Sequence, residues 1–233
     1  MERSLSRPRG RFQRGRGVTS LRFIVYSDYL CPWCYNASVR LRKLETEYAG
    51  AVELDWRSYL LRPERRIHSD SNAALEKFRH YTESWMRPAA EDESGDFRVW
   101  SSDEGPPSHS VPAHRVSKAA RQVGPQAFIA MHERLMRAYF GENRDISCME
   151  NLRVLWDEIG LPAEGFEVAG GSELLDEILA DHREALEFGA TGVPAVRLEG
   201  NPAVIVGAHP LELYRRWVDR SLERVAAGES GVG

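Results

Sequence analysis

Leu21 to Tyr26 is a near-continuous apolar run of Ile, Val and aromatic residues, the pattern of a strand buried on both faces of a sheet. After Cys31-Pro32-Trp33-Cys34 the period changes. Ala37, Leu41, Leu44 and Tyr48 recur at helical spacing, and Gly50 stands where a helix would stop. The alternation of Val52, Leu54 and Trp56 then describes a second strand. Strand, helix and strand within about forty residues make a βαβ unit, with a right-handed crossover expected and the cysteine pair opening its helix.

The middle of the chain is different in kind. Leu75, Phe78, Tyr81 and Trp85 predict an amphipathic helix, and Pro88 to Ser110, rich in Pro, Gly, Ser and acids, predicts a loop. Helices are expected over Pro112–Val123, Pro125–Phe140, Met149–Ile159 and Ser172–Phe188, with Phe128, Tyr139, Phe140 and Trp156 in the core of this helical part. After Gly189 the chain returns to β character, with Val193–Leu198, a turn at Glu199-Gly200-Asn201-Pro202, and Ala203–Val206 as a hairpin. A last helix starts at Pro210 and carries Leu211, Tyr214, Val218 and Leu222. The predicted order is β-α-β, an all-helical insertion, then β-β-α.

A chain of 233 residues can bury a core without disulfide staples, and three cysteines do not make a disulfide framework. The Cys31/Cys34 pair therefore reads as a redox dithiol or as half of a zinc site. Zinc would need two more ligands. Cys148 stands alone, and neither a second CxxC nor a closely spaced His pair exists, so no metal is expected. The redox reading has a physical basis, because a helix N-terminus presents free amides and an aligned dipole that stabilise a thiolate. Cys31 is the expected nucleophile. Cys34, one turn later, can attack the mixed disulfide and release the partner as the resolving thiol. Pro32 suits the first helical turn, and Trp33 can shield the dithiol while offering substrate a flat apolar contact.

The charge is unevenly placed: the first seventeen residues hold six arginines against Glu2, a net of +5, which leaves −9 on the remainder of a chain of net −4. A nucleic-acid or membrane-surface arm is one reading of that leader. A disordered leader is the preferred one. It lacks the apolar core of a secretory signal, and nothing in the chain approaches eighteen consecutive apolar residues, so the expectation is a cytoplasmic protein that does not span a membrane.

A βαβ unit with CPWC at its first helix, a helical insertion, and Gly192-Val193-Pro194 before a hairpin together resemble the thioredoxin superfamily, and within it the DsbA-like branch. Asp28-Tyr29-Leu30-Cys31-Pro32-Trp33-Cys34-Tyr35, Ala113-His114-Arg115, Ala138-Tyr139-Phe140 and Thr191-Gly192-Val193-Pro194 resemble the FrnE-like subgroup, the likeness covering about residues 19 to 226. The resemblance implies an α/β thioredoxin fold (βαβ…ββα) with an all-helical insertion. It divides the chain into a disordered basic leader (1–18), the N-terminal part of the thioredoxin fold (19–62), the helical insertion (63–186), the C-terminal part (187–226) and a disordered tail (227–233). It further implies a cis-Pro194 lying against the cysteine pair, with the backbone of Val193 pairing with bound substrate in strand fashion.

In the same pattern His114-Arg115 approaches the dithiol, where Arg115 could bind an acidic group such as a glutathione carboxylate; a surface ion pair is the preferred reading of Arg115. Asp28, three residues before Cys31, either caps the turn or modulates the thiol by charge or proton transfer. Cys148 reads as an incidental thiol near a helix start. The function implied is a DsbA-like thiol-disulfide oxidoreductase with no bound cofactor, using glutathione or a protein dithiol as co-substrate and disulfide-bearing proteins or glutathione as partners. The alternative is a glutathione-dependent transferase or isomerase related to the kappa-class and 2-hydroxychromene-2-carboxylate isomerase enzymes, relatives that usually carry Ser where this chain has Cys31. A non-catalytic thioredoxin-fold binding protein is the third possibility.

Overall fold

The computed structural model describes residues 20–228, so the basic leader and residues 229–233 lie outside the described residues. The first three elements are β1 (Leu21–Ser27), α1 (Pro32–Glu47) and β2 (Val52–Ser58). β1 and β2 pair in parallel from Leu21 with Val52 to Ser27 with Ser58. The helical insertion holds α2 (Ser71–Thr82), a 3₁₀ turn at Glu83–Trp85, α3 (Met86–Ala89), α4 (Val111–Val123), α5 (Pro125–Phe140), α6 (Met149–Glu158), α7 (Ala163–Glu167) and α8 (Ser172–Glu187). The chain then forms the antiparallel pair β3 (Ala195–Leu198) and β4 (Val204–Val206) and ends in α9 (Leu211–Ala226). The sheet order is β2-β1-β3-β4, with β3 antiparallel to β1. This is a thioredoxin fold with an all-helical insertion, as the resemblance implied.

From Phe23 to Tyr26 β1 is buried on both faces, which explains its apolar run. Phe23 and Val25 face Leu41 and Leu44 of α1 and Tyr214 and Val218 of α9. Ile24 and Tyr26 face Ala185 of α8 on the opposite side. Trp217 of α9 packs edge-on to Phe23 at 5.0 Å. A second core fills the insertion around Trp85, Trp100, Tyr139, Phe140 and Trp156.

Several expectations need correction. Phe128 does not join the insertion core; it lies with Trp56 and Phe23 against the sheet, under the Arg121 guanidinium at 4.3 Å. Pro88 opens no loop but sits inside α3, and the irregular stretch after it is packed, with Trp100 buried and its amide donating to Thr82 Oγ1 at 2.9 Å. β3 starts at Ala195 rather than Val193, because Pro194 has no amide to give a ladder and Val193 is turned toward the dithiol.

Arg40 of α1 is 1% exposed, and its guanidinium donates to the carbonyls of Asp92, Ala208 and His209 at 2.7–3.2 Å. It ties α1 to the insertion and to the entry of α9. Arg40→Lys keeps the charge but loses the fork, and is expected to cost about 1–2 kcal/mol, read from the midpoint of urea unfolding. A midpoint equal to the parent's would show that one ammonium replaces the fork.

Candidate active site

β1 ends at Ser27, and the turn that follows is built around Asp28. Its Oδ1 accepts the Leu30 amide at 2.7 Å, its Oδ2 accepts the Leu61 amide at 2.6 Å, and its carbonyl accepts the Cys31 amide at 3.1 Å. Asp28 has no exposed surface, and that burial pushes its carboxyl up to about 6 against the pull of the two amides. Asp28 is thus a turn cap and a raised acid at once.

Cys31 is the N-cap of α1 and Pro32 its first residue. The Cys31 sulfur accepts the Cys34 amide at 3.3 Å and donates its thiol hydrogen to the Val193 carbonyl at 3.4 Å. The Val193–Pro194 peptide is cis. The Pro194 carbonyl accepts the Gly207 amide at 2.8 Å, which anchors this loop beyond β4. Both cysteines are free thiols and buried, Cys34 completely, while Trp33 between them is 37% exposed. Burial pushes the Cys34 thiol well up, and the adjacent Cys31 sulfur pushes it further. The arrangement places one sulfur under a helix-end amide and the other out of water, one turn away.

Of the outlying candidates, His114 lies against the turn that precedes Cys31 and Arg115 against the turn that follows α7. The buried His114 ring packs on Tyr29 at 4.9 Å, and burial holds it near 3, so it is neutral. The Arg115 guanidinium donates to the carbonyls of Ala169 and Gly170 at 3.5 and 3.3 Å, and among the described residues it makes no ion pair, which corrects the surface-pair expectation. Free carbonyls at the end of the short 3₁₀ turn after α7 take the guanidinium instead. Cys148 is the N-cap of α6 and donates to Glu150 at 2.9 Å, away from the dithiol. Among the described residues no group of three or more His, Cys, Asp or Glu could hold a metal ion, and no helix is long and apolar enough to cross a membrane.

Sequence reasoning missed the groups behind the dithiol. Tyr29 Oη donates to Ser117 at 2.6 Å and lies 3.0 Å from His132 Nδ1, while His132 Nε2 meets Ser38 Oγ at 2.8 Å. Ser27 also stands here, its hydroxyl buried without a hydrogen-bond partner. These residues come from four elements, and no spacing in the chain links them.

A search of curated proteins finds no match. Among solved structures, the chain is similar to a probable DsbA oxidoreductase from Streptomyces coelicolor at 26% identity and a TM-score of 0.69, over 91% of this chain and 92% of that one. It is similar to the cytosolic disulfide reductase DsbM from Pseudomonas aeruginosa at 23% identity and a TM-score of 0.68, over 87% and 99%. A 2-hydroxychromene-2-carboxylate isomerase aligns at 19% identity and a TM-score of 0.59, over 90% and 100%. The model of the DSBA-like thioredoxin domain matches residues 22–218, and the chain belongs to that family.

Proposed function

We propose that the protein is a thiol-disulfide oxidoreductase in which Cys31 attacks and Cys34 resolves. The observation that carries this is the Cys31 sulfur as N-cap of α1, 3.3 Å from the Cys34 amide, with the second thiol buried one turn behind it. The Cys31 thiolate attacks one sulfur of a substrate disulfide, forming a mixed disulfide and expelling the other sulfur as a thiolate. Cys34 then attacks Cys31, the Cys31–Cys34 bond forms, and the second half of the substrate leaves. Pro32, Trp33, Val193 and Pro194 line the substrate approach: Trp33 gives an exposed ring, and the Val193 carbonyl is freed for a substrate strand once the Cys31 hydrogen leaves. Of the outlying pair, we assign neutral His114 to the wall behind the dithiol and give Arg115 no substrate contact.

Glutathione or a protein dithiol returns the pair to its starting state. DsbM is also known as a complex with glutathione, which supports the smaller thiol. A cytoplasmic setting would hold the pair reduced and favour disulfide reduction or isomerisation. The FrnE-like motifs quoted above support that subgroup within the family. The isomerase alternative draws on fold likeness at 19% identity.

The test is equilibration against graded ratios of reduced to oxidised glutathione with free thiols counted. The parent is expected to lose two of its three thiols in one reversible two-electron transition, and Cys31→Ser is expected to lose that transition. A parent that titrates no differently from Cys31→Ser would remove the dithiol reading and bring the glutathione-dependent isomerase forward.

A further inference from the structure

The end of the sheet opposite the dithiol carries a second hollow. It is lined by Leu21, the first residue of β1, by Leu198, the last of β3, and by one side of α9, whereas Cys31 follows the other end of β1. Its volume is about 510 Å³. Small-molecule sites span roughly 300–1,000 Å³, so the space suits a compact organic ligand rather than a lone ion. Ile205, Leu213 and Trp217 contribute apolar walls, and Trp217 is held edge-on to Phe23 at 5.0 Å.

The charge on this hollow is one-sided. Arg216, Arg220 and Arg224 all line it, one helical turn apart on the same side of α9. The single acid among its lining residues, Glu199, is already paired with Arg22 at 3.4 Å. Like charges four residues apart on a helix cost stability, so such a row needs a reason. The adjacent Arg215 spends its charge on Glu47 and Glu212 at 2.6 and 3.4 Å, whereas the exposed Arg216 and Arg220 make no ion pair among the described residues. Asp219, between those two in the chain, accepts the Tyr48 hydroxyl at 2.7 Å instead. Guanidinium groups without a counter-charge beside apolar walls attract an anion that carries an apolar body.

We propose that this hollow binds a small amphipathic carboxylate, its head taken by Arg216 and Arg220 and its apolar body laid against Ile205, Leu213 and Trp217. A guanidinium presents paired N–H donors that match the two oxygens of a carboxylate, and the head stays at the rim beside water while the body enters. The occupant is a free molecule rather than a membrane surface, because the apolar walls line a hollow and a flat bilayer does not fill one. Nor is it the basic leader that precedes Leu21, whose net charge of +5 has the sign of the arginines. Binding here uses neither cysteine, so the site stands whether or not the dithiol exchanges disulfides.

The experiment is isothermal titration calorimetry of the full chain with octanoate, set against octanol, which has the body without the charge, and acetate, which has the charge without the body. Octanoate is expected to bind at one per chain and at least about tenfold more tightly than either. Arg216→Gln combined with Arg220→Gln is expected to weaken octanoate at least about tenfold and to leave octanol unchanged. Arg216→Lys combined with Arg220→Lys, which keeps both charges, is expected to recover most of that loss. Cys31→Ser is expected to bind octanoate as the parent does, which separates this site from the dithiol. Absence of octanoate binding, equal affinity for octanoate and octanol, or octanoate binding that survives the double Gln variant would each overturn the proposal. So would sedimentation of the parent with phosphatidylglycerol vesicles in the absence of any octanoate binding, which would make the arginines a membrane contact instead.

Discussion

Asp28→Asn is expected to gain stability over the parent protein as pH rises from about 4 to about 7, by about 3 kcal/mol across that window. The folded carboxyl keeps its proton up to about pH 6, whereas the unfolded chain gives it up near the ordinary 3.8. Between these values the folded state binds more protons, so raising the pH costs stability, and above about 6 the cost is complete. The parent curve alone does not isolate this. Burial holds His114 and His132 near 3 in the folded state, and each makes stability rise with pH up to the ordinary histidine value. The difference between parent and Asp28→Asn removes those contributions. Denaturant unfolding of both proteins at several pH values gives it directly, and parallel curves from about pH 4 to about pH 7 would show that the buried carboxyl titrates as an ordinary one. The functional stake is the turn that Asp28 clamps, because Cys31 hangs from its carbonyl and Leu61 from its side chain.

Trp85→Ala is expected to destabilise the protein by about 3–5 kcal/mol. Trp85 has no exposed surface and meets Phe140 at 4.9 Å, Tyr139 at 5.1 Å, Phe78 at 6.1 Å and Trp100 at 6.4 Å, all near edge-to-face. Its indole nitrogen has no hydrogen-bond partner, so the loss is packing and the cavity left behind rather than a broken polar contact. The cluster also reaches the active helix, since Phe140 stacks on Tyr35, the residue after Cys34, at 5.6 Å. Chemical denaturation followed by far-ultraviolet circular dichroism measures the change. A loss below about 1 kcal/mol would mean that the neighbouring rings collapse into the space.

What could be read from the chain was what local periodicity encodes. β1, α1 and β2 stand where apolar spacing and Gly50 put them, and α5 runs from Pro125 to Phe140 because a proline starts it and Gly141 follows it. α7 escaped because five residues are too few to show a helical period. Phe128 shows the deeper limit: spacing marks an apolar side of a helix but not the partner it faces, and Phe128 faces the sheet. The dithiol itself was legible because its parts are neighbours in the chain. Leu61, Ser117, His132 and the Ala169 carbonyl that claims Arg115 were not, because each meets its partner only after remote elements fold together.

The contact between Cys31 and the Val193 carbonyl joins residues 162 positions apart. A ribosome making this protein N-terminus first therefore releases both cysteines long before the loop that covers them exists. β1, α1 and β2 are complete within the first 58 residues and can pair early, so the cysteine motif can assume its helical form while still uncovered. During that interval it is an exposed nucleophile on an unfinished chain, open to nascent neighbours and small oxidants alike. Under the dithiol function proposed above, discrimination between disulfides begins only when the Val193–Pro194 segment near the end of the chain has emerged.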